Sequence, residues 1–240
     1  HADVIGNKYV YPPETENLGP TKIWKLKKAL YGLKSAPEAW TQHLSRVLEK
    51  LGWKWSVLGE CVFFKQNTDS NKNFPIEGMI VAYVDDLIVT GYDHVVTKFF
   101  SEFGKTCTCS EPEELKVGSD PIIFLGFAYT RELDHIKIDA SDYTNKVLSA
   151  FSYADAKGKL TPGDPGKFVL DPKTRDSPRL SQKDHKKYRR LVGQCLWLSN
   201  VRRDIAYAVK ELSKFVHAPT QDDRTRGQHL LRYLVGTKDE

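Results

Sequence analysis

The chain has little of what staples, spans or exports a protein. Its 240 residues hold four cysteines, Cys61, Cys107, Cys109 and Cys195. Only Cys107 and Cys109 are near neighbours, and a lone C-x-C without a second ligand pair is a poor zinc site. Idle thiols in a reducing, intracellular compartment are the expectation. No apolar run approaches the ~20 residues that a helix needs to cross a bilayer, so no membrane partner is expected. HADVIGNKYV has neither a basic start nor an apolar stretch, which excludes reading it as a secretory signal. Methionine is nearly missing: Met79 is the single one and residue 1 is a histidine, which suggests a piece of something longer. Strong net charge is missing too, since the balance is only +5.

What is present is enough for a packed core. Apolar residues make up 40% and charged residues 28%, so disorder is not the default. A mass of 27.4 kDa allows one large domain or two small ones. The positive residues cluster in KIWKLKK (22–28), KDHKKYRR (183–190) and VRR (201–203). Such runs suit a polyanion partner, and a solvated face explains any one of them equally well.

Periodicity sketches the elements. SAPEAWTQHLSRVLEKLG reads as an amphipathic helix, with Ser35 and Glu38 at capping-box spacing, Trp40, Leu44, Val47, Leu48 and Leu51 on one face, and Gly52 as a stop. ECVFFK (60–65) reads as a strand before the polar loop QNTDSNKNFP, and MIVAYV and LIVTGY as two strands flanking Asp85 and Asp86. DHVVTKFFSEFG (93–104) predicts a helix with Val96, Phe99, Phe100 and Phe103 on one face; PIIFLGFAYTREL and HIKIDA predict strands. SDYTNKVLSAF (141–151) opens a helical half, with Ser141 as its cap. Residues 155–180 are rich in proline and glycine without a period, which is loop chemistry. Helices over 184–199, running on through 204–216, and over 221–235 finish the chain, the last capped by Thr220 with Asp223 and stopped by Gly236.

The two adjacent aspartates in MIVAYVDDLIVTG (79–91) are the chemical puzzle. A two-residue hairpin favours Asn-Gly or Asp-Gly, so Asp-Asp is a second-best turn that also sets two like charges side by side. A divalent cation such as Mg²⁺ would relieve that repulsion. Turn chemistry and composition leave both readings open.

The surrounding words add a resemblance. AYVDDLIV resembles the YVDD box of reverse transcriptases, and LKKALYGLKSAPEAW (26–40) is similar to the LKKSLYGLKQAPRAW signature of copia-type long-terminal-repeat retrotransposons. PIIFLGF (121–127) resembles their FLG primer-grip strand. YRRLVGQCLWLSNVRRDIAYAVKELSKFVHAPT with HLLRYLVGT resembles their thumb-side segment. Four motifs in family order make a chance match very improbable.

The resemblance implies an α+β right-hand polymerase palm, an antiparallel sheet with packed helices, over residues 1–139, followed by mostly helical thumb or connection segments over 140–240. It implies RNA-directed DNA polymerase chemistry: a primer 3′-hydroxyl joined to a deoxynucleotide, with two Mg²⁺ (or Mn²⁺) ions neutralising developing charge. Asp85 and Asp86 then match the metal-site carboxylates and are the catalytic and metal candidates. Tyr31, Gly32, Lys34 and Tyr83 match the nucleotide site, Tyr83 and Val84 packing beneath the primer end. Phe124, Leu125 and Gly126 match the primer grip. Arg189, Arg190, Arg202 and Arg203 are candidate nucleic-acid contacts, and Lys105 or Lys116 a candidate general acid. Implied partners are an RNA or DNA template with its primer, deoxynucleotide triphosphates, and ribonuclease H and integrase neighbours in a polyprotein; implied locations are cytoplasmic particles and the nucleus.

Departures from the family pattern matter as much. Glu38 stands where the family carries a basic residue, and VRRDIAYAV lacks the proline before its Asp, which predicts a helix that runs on. The segment between Phe103 and Phe124 is longer than usual, which implies an altered loop. HADVIGNKYVYPPE matches the residues just after the family's first carboxylate box, so the expected third Asp would lie upstream, and Asp3 sits too late to replace it. The fingers region is not represented either. The fragment is therefore expected to be inactive alone; the alternative is a truncated or decayed remnant that grips nucleic acid without polymerising.

Overall fold

The computed structural model describes residues 2–16, 18–19, 21–57, 59, 61–67, 75–164 and 177–238. His1, most of the expected loop after Gln66, Glu60 of ECVFFK, and residues 165–176 of the Pro/Gly-rich segment lie outside the described residues. Two compact units emerge, residues 1–112 and 113–240. The secondary structure is mixed, with antiparallel sheets and six α-helices among the described residues.

In the first unit, β1 (Tyr9–Val10) pairs with β2 (Trp24–Lys25). A second sheet runs in the order β3 (Lys54–Trp55), β4 (Val62–Gln66), β5 (Ile76–Tyr83), β6 (Asp86–Gly91), every neighbour antiparallel. Alternation decides its faces: Phe63, Ile80 and Ala82 are buried and less buried residues alternate with them. Helix α1 (Ala36–Lys50) and helix α2 (Asp93–Phe103) cover it. Leu44, Val47 and Leu48 of α1 and Val95, Phe99 and Phe103 of α2 form one core with Trp53, Phe63, Ile80 and Ala82. The expected α1 stripe is present, with Trp40 and Leu51 only partly buried.

The α1 ends split the expectation. At the C-terminus Gly52 N–H bonds Glu49 O (2.9 Å) and Trp53 N–H bonds Leu48 O (3.0 Å), the paired bonds of a Schellman motif. At the N-terminus no capping box forms. Ser35 has φ −89° and ψ −4°, a helical geometry from which its side chain makes no cap bond, and Glu38 accepts from Gln42 instead.

In the second unit, β7 (Ile122–Phe124), β8 (Phe127–Arg131) and β9 (Ile136–Asp139) form an antiparallel meander. Helices α3 (Ser141–Ala150), α4 (Gln182–Leu198), α5 (Ala206–Ser213) and α6 (Gln221–Gly236) follow. PIIFLGFAYTREL is thus two strands rather than one. Phe127 and Ala140 share the buried core of Val147, Leu148, Leu191, Val192, Leu198, Leu230 and Leu234. That shared core places the meander in the second compact unit. Ser141 does not cap α3; the Asp139 carboxylate accepts the Ser141 N–H at 2.7 Å in its place. The capping box on α6 is present, with Thr220 and Asp223 bonded reciprocally.

The expected run-on helix through VRRDIAYAV breaks even without proline. Arg202 takes φ −82° and ψ 79°, outside the helical region, and a 3-10 turn (Arg203–Ile205) leads into α5. Its guanidinium makes two bonds to Asp204 and two to Thr237, and this network rewards the break.

Candidate active site and nucleic-acid interface

The register of β5 and β6 places the aspartates. Tyr83 pairs with Asp86, so the two-residue loop is Val84–Asp85, one position earlier than an Asp-Asp turn. Ile80 opposite Val89 and Ala82 opposite Leu87 hold this register, since a slip of one residue would turn buried Ile80 and Ala82 outward. Asp86 begins a strand and Asp85 occupies the loop. Both are exposed, and among the described residues neither carboxylate has an ion-pair or hydrogen-bond partner. Two like charges thus stand side by side with no countercharge among the described residues.

Val84 has φ +53°. Positive φ at the first loop position alone is the φ pattern of a type II′ turn, a position that glycine normally fills. For a β-branched residue it costs on the order of 1–3 kcal/mol. A neighbouring helix engages this turn: the Trp40 indole N–H of α1 donates to the Val84 carbonyl. In the sequence Trp40 reads as one member of an apolar stripe; the further signal is its N–H, because a tryptophan at the edge of a core pairs its apolar ring with a polar handle that can meet an acceptor.

The YGLKSAP segment leads into the same helix. Tyr31 is 91% exposed and Lys34 is exposed. Gly32 has φ +96°, and a Cβ placed there would meet nothing within 4 Å. The chain needs glycine at this point for its backbone, not for crowding inside the protein. α1 therefore ties Tyr31, Gly32 and Lys34, just ahead of its first turn, to Tyr83–Asp86 through Trp40. Residues 2–3 pair with Lys28 and Ala29, and Asp3 forms an exposed ion pair with Lys28 at 2.6 Å that lowers its pKa.

Phe124 ends β7, and Leu125 and Gly126 lie in the hairpin loop that follows it. Phe124 pairs with Phe127, and Leu125 (φ +54°) and Gly126 (φ +83°) fill a two-residue loop of type I′ character. Phe124 is buried at 8% and packs edge-on against Tyr129, so its ring serves the core. Leu125 is half-buried and Gly126 exposed. The Trp197 indole of α4 donates to the Leu125 carbonyl at 3.2 Å.

The basic residues separate. Arg189, Arg190 and Arg203 are exposed, and Arg190 lies over the Phe151 ring, 5.6 Å from its centroid. Arg202 is only 7% exposed, and its bonds to Asp204 and Thr237 commit it to the fold, which corrects the expectation that it faces a polyanion. Burial pushes the Asp204 carboxyl up, but hydrogen bonds from Arg202 and Tyr233 outweigh this and hold it below its ordinary value. Lys116 pairs with Glu114 at 2.8 Å. Cys195 is fully buried and burial pushes its thiol up to about 12, so it is an inert core residue.

Among the described residues no three His, Cys, Asp or Glu side chains gather as a metal site. Asp85 and Asp86 therefore offer a two-carboxylate donor set. Mg²⁺ is commonly held by one or two carboxylates together with water and substrate phosphates, so the set fits a cation that arrives with phosphates.

Comparison with known proteins decides the family. The sequence profile described as "Reverse transcriptase (RNA-dependent DNA polymerase)" matches residues 1–165. The chain belongs to the reverse transcriptase family. Its relatives are copia-type Pol polyproteins. The chain is 32% identical over 92% of its length to the retrovirus-related Pol polyprotein from transposon RE2 of Arabidopsis thaliana, and 33% identical over 91% to that from transposon RE1. It is 28% identical over 99% to the Pol polyprotein from transposon TNT 1-94 of Nicotiana tabacum. The chain spans 14% of the two Arabidopsis polyproteins and 18% of the tobacco one. No solved structure matches it.

Proposed function

We propose that this reverse transcriptase chain is the palm-and-thumb portion of an RNA-directed DNA polymerase, residues 1–139 serving as palm and 140–240 as thumb or connection. The observation that carries the reading is the exposed Asp85–Asp86 pair, without a countercharge among the described residues, at a strained turn on the end of the β5–β6 hairpin. In this reading Asp85 holds the catalytic metal and Asp86 tunes it. Mg²⁺, or Mn²⁺ in its place, would supply charge neutralisation at the transferring phosphate. Tyr31, Gly32, Lys34 and Tyr83 orient the incoming deoxynucleotide triphosphate, with the open space at Gly32 leaving room for a base pair. Leu125 and Gly126 present backbone to the primer strand, while Phe124 supports them from the core. Arg189, Arg190 and Arg203 contact the phosphates of the template–primer duplex.

A two-carboxylate donor set is one ligand short of the three-carboxylate site that the resemblance implies. The 240-residue chain alone is therefore expected to bind a primer–template duplex but not extend it, in either Mg²⁺ or Mn²⁺. A primer-extension assay checks this, and extension that Asp85→Asn abolishes would show the two carboxylates to suffice. Duplex affinity, measured by fluorescence anisotropy, should fall steeply as salt rises, because phosphate contacts release counterions. Affinity that ignores salt removes the proposed role of the arginines. Ribonuclease H and integrase neighbours, and a location in cytoplasmic particles and the nucleus, are the context that the polyprotein reading carries with it.

A further inference from the structure

We infer that Trp40 is a positioning residue for the Val84–Asp85 turn: its indole N–H locks the turn's middle peptide and so aims the Asp85 carboxylate. The inference rests on the reading of Asp85 as a metal ligand. The middle peptide of this turn consists of the Val84 carbonyl and the Asp85 N–H. Rotation of that peptide is what separates one turn type from its partner type, and it swings the following residue with it. Val84 at φ +53° gives the turn a reason to relax, since a β-branched side chain disfavours that region. The Trp40 N–H bond to the Val84 carbonyl opposes the rotation directly.

The clamp is stiff because its base is core. Trp40 sits one helical turn before Leu44, which with Val47 and Leu48 is buried against Phe63, Ile80 and Ala82. Both the donor helix and the strand leading into the turn therefore share one packed cluster. The helix that carries the indole cannot shift away from the turn without opening that cluster.

The second unit repeats the device independently. Leu125 also has positive φ at the first loop position, and its carbonyl is likewise the middle-peptide oxygen. An indole N–H, from Trp197 on α4, reaches it. There the next residue is Gly126, which carries no side chain. That turn provides a matched control in which losing the indole removes the same bond but aims no carboxylate.

The test uses the ¹⁵N-labelled 240-residue chain titrated with Mn²⁺ alone. In the unaltered chain, Mn²⁺ should broaden the amides around Asp85 and Asp86 first. Trp40→Phe, which keeps an aromatic ring and loses the donor, should weaken that Mn²⁺ affinity about fivefold or more, the scale of one lost hydrogen bond. It should also lower the backbone order parameters of Val84 and Asp85. Trp197→Phe should leave Mn²⁺ affinity within about twofold of the unaltered chain, below the scale of one hydrogen bond. A folded Trp40→Phe chain with unchanged affinity and unchanged order parameters overturns the clamp. If the unaltered chain shows no Mn²⁺ broadening at the turn, the metal reading fails, and the order parameters alone decide the clamp. If Trp40→Phe does not fold, indole proton exchange in the unaltered chain decides. A Trp40 indole proton protected about tenfold over that of exposed Trp24 supports the hydrogen bond, and equal exchange overturns it.

Discussion

Val84 holds a backbone conformation that its own side chain disfavours, while half of that side chain lies open to solvent. Glycine at this position removes the strain, worth on the order of 1–3 kcal/mol. It adds unfolded-state entropy costing about 0.5–1 kcal/mol. The expected outcome for Val84→Gly is a gain of about 1 kcal/mol in urea unfolding; a loss of similar size would show that no strain is stored there. The YVDD letters drew attention to the aspartates, but the positive φ lay on the valine before them, and no propensity rule places a valine there. Arg202 teaches the converse. In the sequence it is one more basic residue in VRR, and only the fold turns it inward to Asp204 and Thr237.

At the scale of elements, cap residues divide into those that act and those that only look suitable. Thr220 and Asp223 bond reciprocally at the start of α6, and both are buried. Asp223→Ala should cost about 1–2 kcal/mol, the range for a lost N-terminal cap. Ser35→Ala should stay within about 0.5 kcal/mol, as expected of a substitution that removes no such bond, because the Ser35 side chain makes no cap hydrogen bond. Thermal or urea melts of the two variants check the contrast. Both pairs share the same sequence spacing, so the pattern alone could not separate them. What differs is the backbone of the cap residue, extended at Thr220 and helical at Ser35. Most helices and strands were legible because their apolar periods, 3.6 and 2, are unambiguous. The FLG hairpin was not, since Phe-Leu-Gly-Phe inside an apolar run reads as continuous strand until the pairing of Phe124 with Phe127 is seen.

Across the whole molecule, the two units carry different pH sensitivities. In the first, burial lowers the pKa of His43 from 6.5, so the unfolded chain takes up a proton before the folded one does. Stability there is full above pH 6.5 and declines as pH falls below it. In the second, Asp139, Asp204 and Glu211 have lowered pKa values. Backbone and side-chain hydrogen bonds with Ser141 lower Asp139; at Asp204 and Glu211 burial opposes the shift, and bonds from Arg202 and Tyr233, and from Lys214 and Lys210, prevail. Their contribution is present above the unfolded carboxylate values of 3.8 and 4.5 and is lost as pH falls through the lower folded values. Residue-resolved hydrogen exchange should show the first unit softening as pH falls below 6.5, with His43→Gln flattening that limb. The second unit should soften only below about pH 4.5, with Asp204→Asn flattening its limb. At the alkaline end, the Cys195 thiol, held at about 12, weakens the second unit above pH 9.

The order of motifs, the reverse transcriptase family and most element types were determined by the sequence itself, because residue identity and short-range periodicity are local properties. The tertiary structure decided the rest: that the turn is Val84–Asp85, that Trp40 and Trp197 each hold a hairpin carbonyl, that Phe124 and Arg202 face inward, and that the β7–β9 meander packs with the helices. Each of these depends on which partner a backbone or side-chain group meets across many residues of chain. Such pairings are set by competition for a shared core and for hydrogen-bond acceptors, which spacing along the chain does not record.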